Sequence, residues 1–173
     1  GGHHKGKRGK DSENKQPTLL ILSTLEDNNY PQYVKLHTLP NYKGEPIEEY
    51  LKEKCLFDPT IVINCDRDKA FFCLNKLAQL ENSVVDYTKE NHKLKWLNTF
   101  IGNIQSNINH LYRLVKKRDL PLFLSEQEWR INHRYSGKRI MDKVKKYISM
   151  STPVTFKQIT NSVLAYEKQF LSA

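Results

Sequence analysis

"TIVINCD", residues 60–66, is a run of β-branched and apolar residues that ends on an acid. Thr, Ile and Val pack well on a pleated surface, and a run this short and apolar suits a buried strand, expected over 60–65. Downstream, residues 68–80 ("DKAFFCLNKLAQL") carry apolar side chains at helical spacing, and "SVVDY" (83–87) reads as another short strand. A strand, a helix and a strand in so few residues require a parallel crossover. The class is therefore α/β.

Working outward, "TLLILST" (18–24) is a further buried-strand candidate. In "QYVKLHTL" (32–39), Tyr33 and Lys35 alternate with Val34 and Leu36, which is the period of a strand with one wet face. Asn28, Asn29 and Pro31 supply turn chemistry between the two, so a hairpin is expected. "GEPIEEYLKEKC" (44–55) is a helix with Pro46 in its first turn and Ile47, Tyr50, Leu51 and Cys55 on one face. The remainder is predicted helical over 94–117, 121–132, 137–149 and 155–171, with breaks near Gly137 and Pro153. Leu97, Ile101, Ile104, Ile108, Leu111 and Val115 are the expected buried stripe of the first of these. The organisation is a basic, Gly-rich arm or loop over 1–17 and one domain over 18–173, a mixed sheet with a helical C-terminal half.

Composition narrows the partners. Twenty-eight Lys and Arg against nineteen Asp and Glu give a net charge of +9 in 173 residues, which favours a polyanion, nucleic acid before anionic membrane. Aromatic residues at 10% argue against disorder. No apolar run approaches the roughly 18 residues of a membrane span, and nothing resembles a signal peptide. Cys55, Cys65 and Cys73 are odd in number, lie in apolar surroundings and form no C-x-x-C pair. They read as reduced core thiols of a cytoplasmic protein rather than, with His92, as a zinc site.

Asp66 is the strongest candidate for chemistry, because open α/β sheets place ligand-binding groups at the carboxyl ends of strands. The alternative is an N-cap, a part that Asp68 fills equally well. Asn98 and Gln105 are seven residues apart, about two helical turns, and share an azimuth beside the apolar stripe. A solvated flank is the plainer account of them. "EWRINHRY" (128–135) offers Arg130, Asn132 and Arg134 for phosphates or base edges, against a structural ion pair of Arg130 with Glu126. Lys5, Lys7, Arg8 and Lys10 in "KGKRGK" put charge on a backbone able to follow phosphates, or merely solubilise a tail.

In order and spacing these pieces resemble insertion-sequence transposases of the DDE superfamily, in the bacterial ISXO-type group related to eukaryotic Merlin elements. "GGHHKGKRGK" (1–10) is similar to the Gly-Gly and G-K-R-G loop that follows that family's first catalytic Asp. Asp66 with Phe71 resembles the second Asp with an aromatic five residues on. "WLNTFIGNIQ" (96–105) resembles the third motif of a subgroup with Asn at the third catalytic position, through Trp96, Leu97, Asn98, Ile101 and Asn103. "QEWRINHR" (127–134) and "PVTFKQI" (153–159) resemble the motifs that follow.

The resemblance implies an RNase H-like mixed sheet whose first strand, with the first Asp, is missing ahead of Gly1. It implies Asp66 and Asn98 as ligands of Mg2+ or Mn2+, and Gln105 at the family's Lys position, where a positive charge would otherwise face DNA. Asn103, with the basic residues above, would contact double-stranded DNA, both element ends and target. The complete enzyme would cut and join DNA strands, as a mobile element's transposase acting on the nucleoid. One carboxylate is too few for two metals, so the chain as it stands is not expected to cut DNA. Gln105, and "HLYRL" (110–114) in place of a G-T-x-H-G turn, favour a descendant that binds DNA and has lost its chemistry. A basic RNA-associated protein is the remaining alternative. An unpaired edge on the strand at 18–24 would invite self-association, so a homo-oligomer is expected.

Overall fold

The computed structural model describes residues 15–25, 30–55, 60–66, 68–82, 93–112, 115–137 and 139–162. Strand β1, Thr18–Thr24, pairs antiparallel with β2, Pro31–Thr38, in the register Leu20 to Leu36 and Leu22 to Val34. The expected alternation holds along β2, where Val34 and Leu36 are buried while Tyr33 and Lys35 are exposed. Near Thr24 the register shifts, and the Ser23 hydroxyl substitutes for a backbone partner by accepting the Tyr33 N–H at 3.1 Å.

Apolar residues pack on both faces of this hairpin, with Tyr33 and Lys35 leaving one of them partly open to solvent. Leu19 and Ile21 join Leu39 in a cluster with Ile47, Tyr50 and Leu51 of helix α1, Gly44–Lys54. On the other face Leu20, Leu22, Val34 and Leu36 meet Phe100 and Ile104 of α2, Lys95–Ser106, and Leu120, Leu124 and Ile131 of α3, Leu120–Asn132. Pro46 sits in the first turn of α1, where no N–H has an intrahelical partner to lose. Gly44 suits a close approach: a Cβ there would lie 3.1 Å from the Ala70 carbonyl oxygen and 3.3 Å from the Cys73 sulfur, so its neighbours would have to shift by a few tenths of an ångström.

The crossover exists but is built differently from the expected one. Strand β3, Val62–Cys65, pairs in parallel with β4, Gln79–Asn82, and the link between them is a 3-10 helix, Lys69–Lys76. Phe71, Leu74, Leu77 and Leu80 recur every third residue and therefore read as one helix, but Leu80 belongs to β4 and pairs with Ile63. The strand expected at 83–87 lies outside the described residues. Nor is β3 buried along its length: Val62 is exposed and only Cys65 is buried, because among the described strands β3 has one neighbour, β4. The two sheets thus stay separate, yet Ile63 and Leu80 pack on the same cluster as Leu19 and Ile21.

The first C-terminal helix is shorter than its apolar spacing suggests. Following α2, residues Asn107–Leu111 form a π-turn that swings Leu111 out to 70% exposure, so the buried stripe stops at Ile108. The Asn107 amide accounts for the break, donating to the Oε1 of the buried Gln127 at 2.9 Å and tying this turn to α3. Beyond α3, Gly137 with φ 51° makes the turn into α4, Arg139–Met150, and the chain is helical again over 156–162. Among the described residues no helix is long and apolar enough to cross a membrane.

The three cysteines are free, and burial pushes each thiol above its ordinary value, as expected of core thiols. His92 lies outside the described residues. His37 stacks on Tyr50 with centroids 3.9 Å apart, and burial, then the charge of Lys35, holds its imidazole below the usual 6.5. A depressed histidine contributes stability above its unfolded value that is lost as pH falls through that value towards the folded one. The urea midpoint is expected to drop between about pH 7.5 and about pH 5.5, above the carboxylate range, and His37→Phe is expected to remove most of that drop. An unaltered pH dependence in the variant would rule His37 out as its source.

Candidate nucleic-acid interface

Asp66 lies immediately after β3, at the carboxyl end of the parallel pair, and its side chain is exposed. Its Oδ1 accepts the Asp68 N–H at 3.2 Å, and Asp68 in turn caps the 3-10 helix by accepting the Ala70 N–H at 3.1 Å. Capping therefore falls to Asp68, and Asp66 is left facing solvent.

Asn98, Asn103 and Gln105 project from α2 and are all exposed, and among the described residues their side-chain amides make no hydrogen bond. Asn103 lines a shallow cavity of about 280 Å³ with Phe100, Asn107 and Gln127. A larger cavity of about 430 Å³ lies between β2, α1 and α3, lined by His37, Tyr50, Lys54 and Glu128 among others. Neither contains Asp66, Asn98 or Gln105.

Among the described residues no three His, Cys, Asp or Glu side chains cluster as metal ligands. One carboxylate, Asp66, and one neutral amide oxygen, Asn98, are too few hard donors for a pair of divalent ions, which each take about six oxygen ligands. Among the described residues the donors present do not fit a two-metal centre.

The "EWRINHRY" segment has mostly structural work. Arg130 makes an ion pair with Glu126 at 2.7 Å, one turn back on α3. The Asn132 carboxamide pairs with β2 as a strand would, accepting the Val34 N–H at 2.8 Å and donating to the Val34 carbonyl at 2.9 Å. Glu128 accepts the Leu36 N–H at 3.0 Å and pairs with Lys35 at 2.8 Å. Arg134 donates to the carbonyls of Pro31, Gln32 and Ile131. Together these side chains close the outer edge of β2, whose N–H and C=O groups would otherwise stand open. Lys5, Lys7, Arg8 and Lys10 lie outside the described residues.

Fixing Arg134 assembles an aromatic group that the sequence does not announce. Its guanidinium lies 4.5 Å from the ring centre of Tyr135 and 5.8 Å from that of Phe100. Tyr135 makes a short hydroxyl–hydroxyl hydrogen bond with Tyr30, 105 residues away in sequence, and Tyr30 meets Trp96 edge-on at 5.6 Å. The Tyr30 bond, and then Arg134, hold the Tyr135 phenol below the usual tyrosine value, while Tyr30 is held above it. Only the adjacency of Arg134 and Tyr135, and the one-turn spacing of Trp96 and Phe100, were visible beforehand.

No curated protein and no solved structure matches the chain. A family model does, that of the ISXO2-like transposase domain, over residues 1–132, a span that includes the basic arm, Asp66, the amide row of α2 and all of α3. With a mixed α/β fold and an acid at the end of a parallel strand pair, the chain belongs to that family of DDE-superfamily insertion-sequence transposases.

Proposed function

We propose that residues 18–173 are the greater part of an RNase H-like catalytic domain for DNA transposition, and that the chain as it stands binds duplex DNA without cutting it. The observation that carries this is Asp66, exposed at the carboxyl end of the parallel β3–β4 pair. In open α/β sheets that end is where ligand-binding groups collect.

A further strand between β1 and β3, supplied from outside the described residues, would complete the sheet. Two facts support it: β1 and β3 each have one described neighbour, and both sheets already share one apolar cluster. An acid on that strand would add the carboxylate that Asp66 and Asn98 lack. The arm at 1–17, with Lys5, Lys7, Arg8 and Lys10, and the exposed amides Asn103 and Gln105 would then face the duplex.

A second version, DNA binding with chemistry lost, is favoured by Gln105, which brings no charge to a position where the family resemblance calls for Lys. Both versions make the same first prediction. Affinity for a labelled duplex, read by fluorescence anisotropy, should fall by about a hundredfold between about 50 and about 200 mM salt, as neutralising some four phosphates implies. Asp66→Ala should bind at least as tightly as the parent chain, because a lone exposed carboxylate repels phosphate. A flat salt response would sink DNA binding as the function.

A further inference from the structure

Tyr135 has an unusual setting for a surface tyrosine. It is 68% exposed, yet it is anchored twice, by the Tyr30 hydroxyl at its tip and by the Arg134 guanidinium over its ring. Neither anchor is loose. Arg134 is pinned by three backbone carbonyls, and Tyr30 is braced by Trp96 and by its place at the foot of the hairpin, where its carbonyl accepts the Leu25 N–H at 3.1 Å. An exposed ring held this firmly loses little rotamer entropy when something lands on it.

The surroundings are basic. The Lys143 ammonium donates to the Ser136 hydroxyl at 3.0 Å, and Arg139 begins α4 with its N–H on the Ser136 carbonyl at 3.0 Å. Lys95 stands beside Trp96 at the start of α2. Asp142 is the acid in the first turn of α4, outnumbered by these cations. A flat aromatic face flanked by positive charge matches a nucleobase and the phosphates on either side of it, whereas a lipid surface or apolar peptide would want a wider apolar area.

We propose that Tyr135, backed by Arg134 and held by Tyr30, is a stacking platform for an unpaired nucleobase of DNA, with Arg139 and Lys143 taking the flanking phosphates. It rests on the DNA-binding function proposed above and adds to it a preference for DNA in which bases are exposed, such as a frayed or nicked end.

The test compares three labelled ligands on the full 173-residue chain: a blunt duplex, the same duplex with a short single-stranded 3′ DNA overhang, and the same overhang in RNA. The parent chain should bind the DNA overhang about tenfold tighter than the blunt duplex, the scale of one base–aromatic stack. Tyr135→Ala should lose that advantage and keep its affinity for the blunt duplex, and Tyr135→Phe, which keeps the ring but loses the Tyr30 bond, should keep the duplex affinity and part of the advantage. Equal affinity of the parent for blunt and overhang DNA, or an advantage that survives Tyr135→Ala, overturns the platform while leaving duplex binding standing. Tighter binding of the RNA overhang overturns the assignment to DNA. Binding to none of the three overturns the DNA-binding function and the platform with it.

Discussion

Ile47→Ala is expected to lower the unfolding free energy by about 3 kcal/mol, within the usual range of about 2–5 kcal/mol for truncating a fully buried aliphatic side chain. Ile47 is 0% exposed and sits where α1 meets Leu19 of β1, Leu39 just after β2, and Leu74 from the 3-10 helix that links β3 to β4. Removing it opens a void in the cluster that both sheets share. Whole domains are stable by about 5–15 kcal/mol, so this one change should remove a large part of the margin. The urea midpoint by circular dichroism checks it. A loss below about 1 kcal/mol would mean that the cluster is loose and that α1 does not hold the two sheets together.

Asn132→Ala is expected to cost about 2–3 kcal/mol, because it strips two partners at once from a half-buried strand edge. The Val34 N–H and C=O both bond to that carboxamide. Asn132→Asp separates the two bonds. A carboxylate still accepts the N–H but cannot donate, and it sets an anionic oxygen against the Val34 carbonyl. It should therefore be no better than alanine. Hydrogen exchange at the Val34 amide gives the local readout, with protection reduced in the alanine variant and partly retained in the aspartate one. Unchanged protection in Asn132→Ala would show that β2 is covered by other means.

Glu128, Asn132 and Arg134 give this segment a structural role beside the one read from its sequence. Arg and Asn at alternate positions suit phosphates and base edges, but they suit an open strand edge equally, since both present rows of donors and acceptors. Their direction settles which groups they reach. Here all three turn to β2, and the group left facing outward is the neighbouring Tyr135. The outer edge of β1 has no such cover: among the described residues no strand pairs with it.

Local pattern alone determined the hairpin, α1 and α3, and it indicated α4 and a parallel crossover without its actual bounds. In the hairpin, α1 and α3 the apolar period matches the element that forms, whereas α4 forms with no buried residue among those described. The family, too, was legible from motif order. Tertiary structure decided the rest. Leu80 left its helical spacing because pairing with β3 satisfies its backbone groups, and Leu111 left the α2 stripe because Asn107 bonds across to Gln127. Tyr30, Trp96, Arg134 and Tyr135 came together only because edge bonds to Pro31 and Gln32 draw the end of α3 onto the foot of the hairpin. A side chain's neighbours three or four residues away are written in the helix period, but those a hundred residues away are set by which edges and faces remain to be closed.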